Sequence, residues 1–464
     1  MVGLTRVATY FPRRRLPRTL IAQQWGGRAA PGERTVAAFD EDALTMATDA
    51  ALACLGDDDP TSVDALWFAS TSAPYLEKQV ASMVATACDL PRRVATTDVG
   101  GSVRAGVAAL RGALDAVRAG TVARALAVAA DARLAEPGHE LEPQLGDGAA
   151  AAMVGREGVV AELVSQASVS EEFTWTWRTD EQRFVQLADA RFAATHAWAR
   201  DVPEAVKAAL QQAEVPPAKV AKLALAAPDG RTAADGAKRI GCAPDALVPA
   251  LGAEAGMLGV AEPLVLLARA LETAAPGDFI VVAGFGEGAE ALVFRATDAL
   301  PSARPVPLAE RLAGGIPVAS YARWLRARNV LPLDFAGEAV PTYIEWKELK
   351  QDVRLYGSRC EECGMIQYPQ ARVCVGCGAR ERMAEQKLQK TGTVFTFTLD
   401  NLAQVPEHPM PMVVVELDGG GRVYLQGTDC AEGDIAVGKR VRLTFRRLSE
   451  AAGNRNYFWK VRPA

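Results

Sequence analysis

Four of the eight cysteines stand in one short stretch: Cys360, Cys363, Cys374 and Cys377. The text reads RCEECG, with ten residues between the inner cysteines, and then CVGCG. Two CxxC knuckles at this separation suit tetrahedral thiolate ligation of zinc, with Gly364 and Gly378 placed where such tight turns need them. The alternative is a set of free thiols at coincidental spacing. Four protein ligands leave no open position for water, so a metal here would hold structure and perform no chemistry. A metal-stapled module of this kind must be small and local, which divides the chain around residue 350.

The chain has 464 residues, enough for roughly two to four domains with ample core. Apolar residues make up 49% and charged residues 23%, with a formal net charge of -5. That balance is typical of a soluble protein and gives no general attraction to nucleic acid. Cys54, Cys88, Cys242 and Cys430 are scattered and suggest no disulfide framework. Together with a thiolate metal site, they lead us to expect a reducing cytoplasmic setting. The opening MVGLTRVATYFPRRRLP has basic residues but no apolar core segment, so we expect no signal peptide. No apolar run approaches membrane-spanning length. His139, His196 and His408 are the three histidines, which limits where a cysteine or serine nucleophile could recruit an imidazole base.

The first 298 residues read as α/β. Strand-like text at 64–69, 94–99, 125–132 and 149–155 alternates with Ala-rich helical text at 77–88 and about 103–118. A second round follows, with strands at 159–169, 221–227 and 279–285 and helices at 203–213 and 253–274. Near-continuous apolar strands between helices indicate sheet covered on both faces. We therefore expect two α/β halves, 1–157 and 158–298, and a proline-containing connector, 299–350, with a short helix near 320–326. A ribbon at 351–385 and an all-β domain at 386–464 complete the chain. The last domain shows five short strands, 392–400, 412–418, 422–427, 439–447 and 456–461, separated by Gly and Asp turns. That spacing suits a small barrel of the oligonucleotide-binding (OB) type. The basic text KRVRLTFRR and this fold permit a nucleic-acid reading, which the first half makes poor.

The sequence RCEECGMIQYPQARVCVGCG followed by a small barrel resembles the zinc-ribbon/OB-fold family catalogued as DUF35, over about residues 345–464. The resemblance implies company with thiolase-like proteins and handling of CoA thioesters. Six segments upstream resemble the ketoacyl-synthase III and 3-hydroxy-3-methylglutaryl-CoA synthase branch of the thiolase superfamily. They are STSAPYLEKQVASMVATA (70–87), TDVGGSVRAGVAAL (97–110), LGDGAAAAMVG (145–155), AAPDGRTAADGAKRIG (226–241), ALGAEAGMLG (250–259) and GFGEGAEALVF (284–294). The implied architecture is a duplicated αβαβα fold followed by a zinc ribbon and an OB barrel. Homodimerisation or hetero-oligomer formation through the first part is also implied.

The family's chemistry uses a cysteine nucleophile, a histidine and an asparagine, and the synthase branch adds a glutamate. A thiolate accepts the acyl group, a base activates it, and hydrogen-bond donors stabilise the developing anion. Here the cysteine position falls on Val103, or on Ser102 after a one-residue slip; the histidine position falls on Ala226, the asparagine on Ala253 and the glutamate on Thr71. We assign no catalytic residue. Ser102 reads first as a helix cap, Arg104 and Asp147 as structural residues, and the three histidines as loop, packing or surface residues. Glu287 and Glu290 are candidate alternate bases, and Tyr75, Glu287 or Arg104 are the groups to which a cysteine-independent lyase could turn. Trp175 and Trp177 alternate along EFTWTWRTD, with Arg178 next to the second, and suit core, tunnel or interface packing. The expected function is a non-catalytic or pseudo-condensing subunit. Its ribbon and barrel would dock a catalytic thiolase or aldolase and help bind acyl-CoA, without nucleic acid or membrane. An active cysteine-independent condensing enzyme, aldolase or lyase is the alternative.

Overall fold

A computed structural model describes residues 1–331, 340–451 and 453–464. Part of the expected connector, 332–339, lies outside the described residues. The chain divides into two compact units: Met1–Ala37 with Asp42–Val318, and Ala38–Glu41 with Ala319–Ala464.

The first unit is built on nine strands. Their order across the sheet is Val220–Leu225, Phe279–Phe285, Gly288–Ala296, Ala161–Ser170, Gly3–Tyr10, Gly148–Gly155, Ala125–Asp131, Ala65–Ala69 and Ala95–Val99. The four strands from the second half of the unit lie on one side and the five from the first half on the other. The halves join through two paired positions, Gly3 with Glu162 and Leu4 with Ala161. The segment Gly3–Tyr10, which the sequence reading did not single out, thus lies where the halves meet. Two helices, Ala105–Ala119 and Glu262–Thr273, touch strands of both halves and bury most of their side chains. The helices Ala43–Leu55 and Ala199–Gln212 cover outer faces.

Small residues make the central packing possible. A Cβ on Gly106 would collide with the carbonyl of Val260, so the helix approaches that turn at glycine distance. Asp42 starts the helix Ala43–Leu55 with a reciprocal cap: its carboxylate accepts from the Thr45 amide at 3.1 Å, and the Thr45 hydroxyl accepts from the Asp42 amide at 2.9 Å. The helix expected over 253–274 begins only at Glu262. Gly256 and Gly259 are left-handed at φ 89° and 59°, and the chain between them turns instead of winding. The unit continues to Val318, and Leu300 and Leu308 join its core.

In the second unit, a three-stranded ribbon has Tyr356–Cys360 between Ile366–Gln367 and Met383–Lys387. A five-stranded antiparallel sheet follows, ordered Arg422–Gln426, Met410–Leu417, Thr391–Asp400, Arg440–Ala451 and Asn454–Pro463. A bridge between Gly427 and Val461 brings its ends together, as an OB barrel requires. Val413, Val415, Phe445 and Trp459 fill the interior. The expected short helix is present at Tyr321–Ala327. A buried set of charges also belongs to this unit. Arg446 lies 3.2 Å from Glu41 and 2.9 Å from Asp429, Lys460 lies 2.9 Å from Asp40, and Arg462 lies 3.4 Å from Asp429.

Candidate functional site

In the first unit a cavity of about 40 Å³ opens beyond the carboxyl ends of several strands, the usual place for a site in an α/β sheet. The turn before the helix Ala105–Ala119 supplies Val103. The residues after Val220–Leu225 supply Ala226 and Ala227, and the end of Phe279–Phe285 supplies Phe285. Trp175, Met257 and Pro263 add further apolar wall. The Trp175 and Phe285 rings lie 5.6 Å apart.

Two charged side chains enter this apolar lining, Arg133 and Glu262. Glu262 opens its helix and is 7% exposed; its carboxylate accepts from the Leu258 amide at 3.2 Å. Burial pushes the Glu262 carboxyl up to about 7, against the opposing pull of the Leu258 amide and of Arg133. Arg133 is 8% exposed and its Nε finds no hydrogen-bond acceptor. Its ion-pair partner Asp131 is 3.9 Å away and already committed. Asp131 accepts from the hydroxyls of Ser70 at 3.1 Å, Thr71 at 2.8 Å and Ser72 at 2.8 Å, and from the amides of Thr71 at 2.8 Å and Val260 at 3.0 Å. The Trp175 Nε1 is likewise buried without a partner among the described residues. Sequence reasoning missed Arg133, Glu262 and Asp131, since Glu262 lies far along the chain from the strand end that carries the other two, and none carries a motif.

Of the residues singled out from sequence, Val103, Ala226 and Trp175 meet at this cavity. Ser102 turns aside: its hydroxyl accepts from the Arg104 amide at 3.3 Å, just ahead of the helix. Arg104 reaches the Val169 carbonyl at 3.2 Å. Thr71 is bound to Asp131, and the Ala253 carbonyl accepts from the Glu33 amide at 3.2 Å. Glu290 pairs with Arg111 at 2.8 Å, and Glu287 sits at the strand turn with a left-handed φ of 46°. Tyr75 stacks beneath Lys78 at 4.6 Å. Asp147 is buried and accepts from the Ala37 amide at 2.7 Å. The His139 Nδ1 accepts from the Leu141 amide at 3.2 Å, His196 packs on Phe192 at 4.5 Å, and His408 is exposed. Trp177 is exposed, and Arg178 donates to the Thr71 carbonyl at 2.8 Å.

The cysteine set lies in the second unit. The four Sγ atoms all fall within 4.8 Å of one another. Cys360 and Cys377 are 3.7 Å apart, and Cys363 and Cys374 are 3.5 Å apart. A tetrahedron with metal–sulfur bonds of about 2.3 Å has edges of about 3.8 Å, so the spacing fits a four-thiolate metal site. Both knuckles close alike: the Gly364 amide donates to the Cys360 carbonyl at 3.0 Å and the Gly378 amide to the Cys374 carbonyl at 3.0 Å. These glycines have φ of 76° and 75°, values that other residues seldom adopt.

The fold of the first unit is thiolase-like, and that of the second ends in an OB-fold. Residues 385–446 match the family described as the ChsH2 C-terminal OB-fold domain. The hydroxymethylglutaryl-CoA synthase of Pyrobaculum neutrophilum is 29% identical over 346 residues, covering 72% of this chain and 98% of that protein. That of Methanopyrus kandleri is 26% identical over 343 residues, covering 71% and 98%. Among solved structures, MvaS in complex with 3-hydroxy-3-methylglutaryl coenzyme A superposes with a TM-score of 0.62 at 22% identity, covering 73% of this chain and 94% of that one. The 3-oxoacyl-[acyl-carrier-protein] synthase III of Aquifex aeolicus gives 0.58 at 18% identity, covering 64% and 100%. The chain thus joins a thiolase-like homologue of hydroxymethylglutaryl-CoA synthase to a ChsH2-type OB-fold domain. No helix among the described residues is long and apolar enough to cross a membrane.

Proposed function

We propose that this chain is a CoA-thioester-handling subunit that forms no acyl-cysteine itself and works beside a catalytic thiolase or aldolase. The observation that carries the reading is the pair Val103 and Ala226 on the cavity wall. These positions correspond to the family's nucleophile and base, and neither side chain can attack a thioester or move a proton. The cavity persists without them, as fold and site are separable. Handling of CoA is supported by the fold shared with MvaS in complex with 3-hydroxy-3-methylglutaryl coenzyme A and with an HMG-CoA synthase complexed with CoA.

The remaining assignments belong to this reading. Cys360, Cys363, Cys374 and Cys377 would hold zinc as a structural clip, and a filled ligand set would supply no catalysis. The ribbon and barrel would dock the catalytic partner. The strand Ala95–Val99 lies at a sheet edge with Ala95, Thr97 and Asp98 exposed, which supports pairing of two copies there. The halves 1–157 and 158–298, the connector 299–350, the ribbon 351–385 and the barrel 386–464 stand as our proposed divisions. A cytoplasmic setting goes with the thiolates.

One observation favours a second reading, a cysteine-independent lyase or aldolase. Glu262 borders the cavity with its carboxyl near 7, where it could act as a general acid or base. Acyl-CoA cleavage and condensation should be assayed with the purified chain alone and with candidate thiolase partners. Activity that needs the partner and its own nucleophile is the expected result. Turnover by the isolated chain that collapses in E262Q would overturn the subunit reading in favour of the second.

A further inference from the structure

The four cysteines of the ribbon differ in access. Cys360 and Cys374 are 1% and 2% exposed, whereas Cys363 and Cys377 stand at the surface. Each knuckle therefore keeps one cysteine inside and turns one outward. The short sulfur approaches cross between knuckles and join an outer residue to an inner one, Cys363 to Cys374 at 3.5 Å and Cys377 to Cys360 at 3.7 Å. A disulfide needs about 2.05 Å, so each pair has to close by roughly 1.5 Å, a distance that small side-chain rotations can supply.

Reactivity toward an oxidant is concentrated in this set. A bound metal keeps its cysteines as thiolates, the form that attacks, and reaction then follows exposure. The other four cysteines lack that combination. Cys54, Cys88 and Cys242 are buried, and burial pushes the thiols of Cys54 and Cys242 up to about 12 and about 11. Cys430 is half-buried, and its Sγ donates to the Thr428 carbonyl at 2.9 Å, an arrangement that favours the protonated thiol.

We propose that the ribbon is a peroxide-sensitive clip that exchanges a bound zinc ion for two nested disulfides, Cys363–Cys374 and Cys360–Cys377. The proposal rests on the zinc assignment. The thiolate of Cys363 or Cys377 attacks one oxygen of hydrogen peroxide, the O–O bond breaks, and hydroxide leaves a sulfenic acid on sulfur. The inner thiolate of the same pair then attacks that sulfur, the S–O bond breaks, and a second hydroxide leaves as the disulfide forms. Each disulfide thus consumes one peroxide and two protons from solvent and yields two waters. Each bridge withdraws two of the four ligands, and the knuckles release the metal as its dication. Both bridges join the knuckles that the metal joined, so the ribbon stays clipped after the exchange.

The test treats full-length, zinc-loaded protein with hydrogen peroxide, from about two equivalents to roughly tenfold excess. A chromophoric chelator reads released zinc, thiol titration counts the loss, and peptide mapping without reduction locates the bridges. The expected result is full zinc release with loss of four of the eight thiols, and the two crossed bridges as the products. Dithiothreitol with added zinc should restore thiols and metal, and Cys430→Ser should respond as the wild type does. Bridges within a knuckle, Cys360–Cys363 or Cys374–Cys377, would overturn the proposal. So would earlier oxidation of Cys54, Cys88, Cys242 or Cys430, or zinc retained at the highest peroxide. Circular dichroism completes the test, because release that occurs only as the protein unfolds would also overturn it. Each of these failures leaves the zinc assignment standing, whereas reduced protein that binds no zinc would overturn both.

Discussion

Replacing Glu262 with Gln should make the protein more stable, by an amount that grows with pH. A glutamate carboxyl ordinarily loses its proton near 4.5, whereas burial holds that of Glu262 to about 7. Between those values the unfolded chain has released this proton and the folded chain has kept it. Wild-type stability therefore falls as pH rises from about 4.5 to about 7 and levels off above. The separation from 4.5 to about 7 corresponds to about 3 kcal/mol at about 1.4 kcal/mol per pH unit. Gln carries no proton to lose, and its carbonyl can still accept from the Leu258 amide. Wild type and E262Q should then differ by a constant offset near pH 4.5, with about 3 kcal/mol more in favour of the variant by pH 8. In a unit of this size that is a rise of roughly 5 °C in midpoint. Differential scanning calorimetry at several pH values can follow it, with separate transitions fitted because the chain has two compact units. A pH-independent difference would refute the reasoning. A variant that becomes the less stable protein at pH 8 would do so more sharply, since Arg133 would then outweigh desolvation and hold the carboxylate charged.

Two further outcomes follow from the second unit. Reduced protein should contain one zinc per chain by elemental analysis, and Cys360→Ser should lose the metal and destabilise the ribbon; metal-free protein of unchanged stability would remove the zinc assignment. Arg446→Met should destabilise this unit by about 3–5 kcal/mol in denaturant titration, because it withdraws a buried partner from both Glu41 and Asp429. An effect below about 1 kcal/mol would mean that the remaining cations, Lys460 beside Asp40 and Arg462 beside Asp429, already balance the buried acidic set.

Legibility followed the distance along the chain over which each feature is built. The cysteine knuckles close within 18 residues, so spacing and glycines expose them directly. Barrel strands such as 392–400 and 439–447 carry β-branched and aromatic residues between clear turns, and they appear as Thr391–Asp400 and Arg440–Ala451. The helix read over 253–274 failed at its start, where a run of mostly apolar text hid two left-handed glycines. Ser102 illustrates the limit in the other direction. The text could not choose between it and Val103 for the nucleophile post, whereas the structure puts Val103 on the cavity and turns the serine hydroxyl back onto the Arg104 amide.

The sequence by itself determined the two-part organisation and the spacing of the cysteine set, because each depends on residues close together in the chain. Only the tertiary structure could bring Arg133 and Glu262 to one cavity, since they come from segments on either side of the join between halves. It also decided their chemistry. A glutamate at a helix start is ordinarily a solvated acid, and an arginine after a strand is ordinarily a surface cation. Burial raises the proton affinity of the first and leaves the second short of acceptors. Desolvation is a property of the packed interior, and a residue acquires it only when distant parts of the chain close around it.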